Sequence, residues 1–313
     1  MKSIARAVLL LLTACLTFGC ASFKQGMFDF MMSAERSKSD LNPGIVQIQG
    51  QTMAYLERAG KGETIVLIHG FTGNKDHWTR FVRYLPEDYR VLAFDMPGHG
   101  DNDQSVEKTY TVDYMASTLD QAVSTLGLSR FHLAGSSMGG WISMLYAARY
   151  PQKVISLCLL DSAGLMNVSP QPSDLQMEQS KGHNPFIITS REDFEELFEY
   201  AFYKQPFYPW PIISVLSDRA IASSDFYKKV GDEFLNQSTD IYPLLPGINV
   251  PALVIWGDKD RILHVSTTEV LKKSLPGSEV VIMKDCGHMP MAERPQETAE
   301  YYVNFLRTHK RSQ

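Results

Sequence analysis

Cysteine is scarce, with four residues among 313. Cys15 and Cys20 fall in the first twenty positions, so only Cys158 and Cys286 serve the rest of the chain, and a disulfide framework is excluded. Cys158 stands in an apolar run and reads as a small core residue. Positive charge is also short: 30 Lys and Arg against 35 Asp and Glu leave a net charge of −5. No basic run is present, so nucleic-acid recognition has no electrostatic footing. The N-terminal apolar run, Ala7 to Leu12, is too short to span a bilayer, which takes about 20 residues. What is present is a composition 44% apolar and 21% charged, ample for one large core.

Lys2 and Arg6 precede that apolar run, and small residues and a cysteine follow it, so residues 1–20 read as a secretory signal. The end of the segment resembles a bacterial lipoprotein signal, in which a lipidated cysteine becomes the new N-terminus. Leu12-Thr13-Ala14-Cys15 fits that pattern closely but leaves a very short signal. Thr17-Phe18-Gly19-Cys20 leaves one of ordinary length, and Cys20 is preferred over Cys15 on that ground. The alternative is an ordinary cleaved signal without lipid. The resemblance implies export to the bacterial cell envelope and a membrane partnership through a lipid anchor at the outer membrane, or otherwise a periplasmic or secreted protein. In the following segment, residues 21–42, Phe23, Met27, Phe30, Met31 and Ala34 recur at helical spacing. This stretch reads either as a helix packed on the domain or as an amphipathic helix resting on a membrane.

Downstream, strand and helix patterns alternate. Ile45–Gln49 and Thr52–Arg58 read as a hairpin through Gly50-Gln51. Thr64–Ile68 is a continuous apolar run, as in a strand buried on both faces, and it ends in His69-Gly70-Phe71-Thr72-Gly73. Tyr89–Phe94 runs into Asp95-Met96-Pro97-Gly98-His99-Gly100, where Asp95 and His99 read as structural. A helix is expected over Tyr110–Gly127. The chain then reaches Gly135-Ser136-Ser137-Met138-Gly139, between the apolar stretch Phe131–Ala134 and a helical pattern from Met138 to Tyr150. Strand, G-x-S-x-G, helix is the pattern of a nucleophile elbow, a turn so tight that its flanking glycines are required sterically.

Val154–Leu160 is another apolar strand, ending in Asp161. Residues 165–246 then break the alternation, with helical segments near 191–203 and 211–235, and read as a cap inserted into a core formed by 43–164 and 247–313. Nine of the 25 residues from Phe186 to Trp210 are aromatic, against 11% for the chain. Such density suggests an apolar wall over a site, with Phe186, Phe198, Phe202 and Trp210 as candidate pocket residues, or packing of the cap on the core. Strands resume at Pro251–Trp256, followed by Asp258 and Asp260, and at Glu279–Met283, followed by Cys286, Gly287 and His288. Serine, acid and histidine, each after a strand and in that order, match the chain order of α/β-hydrolases.

These stretches, with Asn184-Pro185-Phe186 and Gly287-His288-Met289-Pro290-Met291, resemble the lipolytic serine hydrolases of the α/β-hydrolase superfamily. The nearest resemblance is to the bacterial family V lipases of the Moraxella type and to monoacylglycerol lipases. It implies an α/β fold: a mostly parallel eight-stranded sheet, helices on both faces and a helical cap. It assigns Ser137 as nucleophile, Asp260 as triad acid, His288 as base, and the backbone N–H groups of Phe71 and Met138 as oxyanion donors. Asp258 and Asp161 are the rival acids. A fatty-acyl ester or acylglycerol is the implied substrate, with no metal and no cofactor. Two alternatives stand beside it: a C–C bond hydrolase of ring-cleavage products, and a non-catalytic lipoprotein that kept the fold as a binding module.

Overall fold

In the computed structural model, residues 22–309 are described. The segment 1–20, with Cys15 and Cys20, lies outside them. A helix over 22–37 (α1) opens the described chain. Strands β1 (Asn42–Ile48) and β2 (Gln51–Arg58) then form an antiparallel hairpin. The sequence reading placed Gln51 in the turn; instead the turn residues are Gln49 and Gly50, both with positive φ (46° and 76°). A two-residue loop with both φ values positive has the twist that paired strands need.

The chain continues through β3 (Thr64–Ile68), α2 (Thr79–Val82), β4 (Arg90–Phe94), α3 (Val112–Thr125), β5 (Phe131–Ser136), α4 (Met138–Arg149) and β6 (Val154–Leu160). Four helices follow: α5 (Asp174–Ser180), α6 (Arg191–Ala201), α7 (Trp210–Ala222) and α8 (Ser224–Gln237). The core resumes with β7 (Ala252–Gly257), α9 (Thr267–Ser274), β8 (Glu279–Met283), α10 (Pro290–Glu293) and α11 (Pro295–Thr308). The eight strands form one sheet in the order β1-β2-β4-β3-β5-β6-β7-β8, in which β2 runs opposite to the other seven.

The central strands β3, β5 and β7 are buried at every residue, because helices cover both faces. Two apolar layers result. On one face, α3 and α4 bring Leu119, Ile142 and Leu145 against Val66, Leu133 and Val254. On the other, Trp78, Phe81 and Tyr302 pack on Ile65, Leu67 and Ile255.

The insertion departs from the sequence reading in two ways. α5 was not foreseen; it begins with a capping box in which Ser173 and Gln176 satisfy each other's backbone N–H groups. The single helix expected over 211–235 is two helices divided at Ser223. Ser223, Ser224 and Asp225 favour helix starts over helix interiors, and the break lets α8 turn back towards the core. α6 begins with a second capping box, Ser190 with Asp193.

α1 packs on the insertion and also reaches the core. Phe28 is buried between Ile212 and Val215 of α7, with Met31 and Met32 beside it. Lys24 pairs with Asp218, while Arg36 grips Asp76 in two 2.6 Å bonds. Phe23 and Phe30 face away from these contacts and remain exposed. The helix is therefore packed on the domain along one side and apolar on an outer side as well.

Candidate active site

Ser137 joins β5 to α4 with φ 54° and ψ −119°, a conformation that costs roughly 1–3 kcal/mol for a non-glycine residue. The glycines on either side make it attainable. A Cβ on Gly135 would stand 2.1 Å from the Gly139 carbonyl oxygen, and one on Gly139 would stand 2.3 Å from that of Ile68. Ser137 is then pinned by its backbone: its N–H donates to Leu160 and its carbonyl accepts from Gly140 and Ala163. Met138 is the first residue of α4, so its N–H belongs to the helix terminus where the macrodipole favours negative charge.

The loop after β3 lies directly against the serine. A Cβ on Gly70 would be 3.1 Å from the Ser137 Cβ. His69 is fully buried; the Met96 N–H donates to its Nε2 at 3.0 Å, so its proton resides on Nδ1, which donates to the Gly70 carbonyl at 2.7 Å. Burial, aided by His99, holds its pKa well below the usual histidine value, which keeps it neutral. The Gly70 carbonyl also accepts from the Gly73 N–H. Because the peptide is planar and trans, fixing that carbonyl fixes the opposite direction of the Phe71 N–H. The Phe71 ring is held by the insertion, 5.5 Å from Phe186 and 5.7 Å from Tyr227.

Behind this loop stands an ionic cluster that the sequence reading missed. Lys75 is buried, and its ammonium donates at 2.6 Å to both Asp95 and Asp101. Asp95 also receives the backbone N–H groups of Lys75 and Asp101. Burial opposes the Lys75 charge, but Asp95 and Asp101 outweigh it and raise its pKa. Asp95 carried a structural expectation; nothing local in the sequence marked Lys75 as its partner.

Of the three acids weighed from the sequence, it is Asp260 that meets the histidine, with its Oδ2 2.8 Å from Nδ1 of His288. The other Asp260 oxygen accepts the N–H groups of Ile262 and Leu263. Asp258 instead pairs with Lys259 at the turn. Asp161 is buried beside Asp260 without bonding His288. The His288 N–H donates to Ala201 at the end of α6, so the insertion also steadies this loop. Cys286 packs in a buried apolar cluster with Met283 and Met291, and burial pushes its thiol far up in pKa.

Ser137, Phe71 and His288 line one cavity of about 790 Å³. Phe186, Phe198 and Phe202 line it too, with Phe194, Leu197 and Tyr208. Trp210 does not: it starts α7 with Pro211 behind it and is 65% exposed. Helical geometry turns the Ile212 and Leu216 side chains towards the cavity and leaves Trp210 exposed to solvent. Charged residues also line the cavity, among them Arg36, Asp76, Arg80, Asp101 and Arg219, and the Arg80 guanidinium lies over the Tyr208 ring at 4.7 Å.

The fold and this arrangement define a class, and the chain belongs to it: residues 63–295 match the α/β hydrolase fold family. Within that family it is 36% identical over 275 residues to lipase 3 of a Moraxella species, covering 87% of this chain and 86% of that one. It is 32% identical over 258 residues to human monoacylglycerol lipase ABHD6, covering 80% and 77% of the two chains. Among solved structures, a membrane phospholipase A described as a bacterial virulence factor superposes with a TM-score of 0.92 at 39% identity, over the whole of both chains.

Proposed function

We propose that this protein hydrolyses fatty-acyl esters, acylglycerols among them, through a serine acyl-enzyme. Ser137 attacks the ester carbonyl while His288 takes its proton. Asp260 holds the imidazole in the required tautomer and stabilises its cation. The N–H groups of Phe71 and Met138 receive the developing oxyanion. The alcohol leaves with the proton returned by His288, and water activated by the same imidazole releases the fatty acid. The observation that carries this reading is the bond from Asp260 to His288, which lines the same cavity as the strained Ser137. The aromatic residues of the lining suit an acyl chain, and its charged residues suit the polar part of a glycerolipid. Lipases and monoacylglycerol lipases among the relatives favour the same substrate class.

The ring-cleavage alternative has weaker support. Meta-cleavage product hydrolases share 19–20% identity with this chain, a level at which the likeness speaks for the fold alone.

We further propose that the protein acts at the bacterial envelope, held by lipid on Cys20, with Cys15 as the other site. The exposed Phe23 and Phe30 on α1 and the exposed Phe207 and Trp210 on the insertion would suit such a surface. No described helix is long and apolar enough to cross a membrane.

One experiment tests both proposals. The full chain is expressed, membranes are separated from soluble material, and each fraction is assayed on p-nitrophenyl esters of two to sixteen carbons. The expected result is turnover in the membrane fraction, greatest at eight carbons or beyond, and lowered on the order of 10⁶-fold by Ser137→Ala. Turnover limited to two to four carbons would overturn the lipid substrate, and activity confined to the soluble fraction would overturn the anchoring.

A further inference from the structure

The mechanism above leaves one buried ionisable group unused. Asp161 closes β6, beside the strand whose end carries Asp260, and its side chain is fully buried. Its N–H donates to the Ile255 carbonyl, and its Oδ1 accepts the Gly257 N–H at 2.9 Å. Its backbone sits at φ 43°, a region that aspartate tolerates better than most residues. Together these contacts fix the carboxyl in place. Its other oxygen, Oδ2, is buried and has no donor directed at it.

One oxygen of Asp161, one oxygen of Asp260 and one ring nitrogen of His288 lie within 4.8 Å of one another, all three residues buried. Two carboxylates this close and away from water do not both ionise unless a cation sits between them. Glu293 of α10 also acts on Asp161 and adds negative potential, and the His288 ring and the Cys286 thiol are neighbouring titratable groups. The hydrogen bonds decide which acid keeps its charge. Asp260 accepts from Ile262, Leu263 and His288, an environment that favours an anion. Asp161 accepts a single backbone N–H, and an oxygen without a donor is the natural place for a proton.

We propose that Asp161 is a positioning residue whose protonated Oδ2 donates a hydrogen bond to the Asp260 carboxylate. That bond gives Asp260 a further donor and fixes the plane of its carboxylate. It also draws part of the negative charge of the Asp260 carboxylate away from the imidazole, while the proton taken from Ser137 remains on His288 during acylation. The proton on Asp161 does not move during turnover. Burial and the Asp260 charge both raise the Asp161 pKa well above the usual carboxylate range, in keeping with this arrangement.

The inference rests on the Ser137–His288 reading, and the test separates the two. The pH profiles of kcat and kcat/KM are measured on p-nitrophenyl octanoate for the unmutated protein, Asp161→Ala and Asp161→Asn. Asp161→Ala removes the donor, and kcat should fall about tenfold or more, the scale of one lost hydrogen bond to a charged group. The same change leaves the whole Asp260 charge facing the His288 ring, which favours the imidazolium, so the acidic limb of the kcat/KM profile should move to higher pH. Asp161→Asn supplies an amide N–H in the same place, and should restore both the rate and the limb. A limb that moves to lower pH in both variants would mean that Asp161 is an anion, and would overturn the proposal. So would a Asp161→Asn protein as impaired as Asp161→Ala. Should Asp161→Ala fail to fold, the direction of the limb in Asp161→Asn decides alone. Absence of turnover in the unmutated protein would overturn the hydrolase reading instead.

Discussion

Lys75 shows how a single buried residue can organise two loops. Its ammonium and its backbone N–H both reach Asp95, which ties the loop carrying Phe71 to the loop after β4. Removing one partner of a buried pair leaves the other charge uncompensated, at a cost of about 3–5 kcal/mol. Lys75→Met is therefore expected to lose roughly that much stability in urea unfolding. Lys75→Met combined with Asp95→Asn should recover a substantial part of it, because the carboxylate that then loses Lys75, Asp101, is 64% exposed and no buried charge is left unpaired. If the double variant is no more stable than the single one, the ion pair is not what the residue contributes. Nothing in the sequence pointed to this partnership. A lysine beside an aspartate reads as a solvated pair until the fold buries it.

At the scale of elements, the insertion shapes the cavity and also holds the loops that carry Phe71 and His288. α8 brings Tyr227 and Phe234 against Phe71, and the end of α6 accepts the His288 N–H. Gly231 stands in the middle of α8, where a Cβ would meet the Phe71 ring at 3.4 Å, an ordinary contact. Glycine in a helix interior is less favourable than alanine by about 1 kcal/mol. Gly231→Ala should raise the thermal midpoint by about 2–4 °C, read by circular dichroism. A lowered midpoint would show that α8 approaches Phe71 too closely to accept a methyl group. The core strands were legible in order because each is an apolar run with its own turn residues. The insertion was legible as an interruption, but its helix boundaries were not. A run such as 211–235 satisfies helical periodicity throughout, and the break at Ser223 is decided by where α8 must pack.

For the whole molecule, the sign of the buried charges sets the response to acid. His69, His99 and His132 are fully buried, and burial pushes all three down in pKa, His99 to about 4. The unfolded chain takes up protons near pH 6.5 that the folded protein refuses, so their contribution is complete above that pH and is lost as pH falls towards 4. Asp161, pushed up, keeps its proton in the folded state over the same window and offsets one of the three. Net stability should still fall on acidification. In His99→Gln the slope of stability against pH between 6.5 and 4 should be shallower by about 1.4 kcal/mol per pH unit, the value of one proton. Urea unfolding at a series of pH values measures it, and an unchanged slope would mean that His99 is protonated in the folded protein.

The sequence by itself determined the parts that depend on local sterics and on chain order. Glycines two residues either side of Ser137 permit one tight turn, and apolar runs of strand length between helical patterns dictate a sheet buried on both faces. Serine, acid and histidine each follow a strand, so a parallel sheet brings them to one edge. The tertiary structure decided everything that turns on distance between remote segments. It selected Asp260 over Asp258 and Asp161 as the partner of His288, because hydrogen bonds depend on tenths of an ångström that spacing along a chain does not encode. It placed Phe186, Phe198 and Phe202 in the cavity wall and left Trp210 outside it, since the phase of a helix is set by what it packs against. It buried Lys75 with Asp95, and Asp161 with Asp260, in places where the low dielectric makes the pairing of each charge decisive.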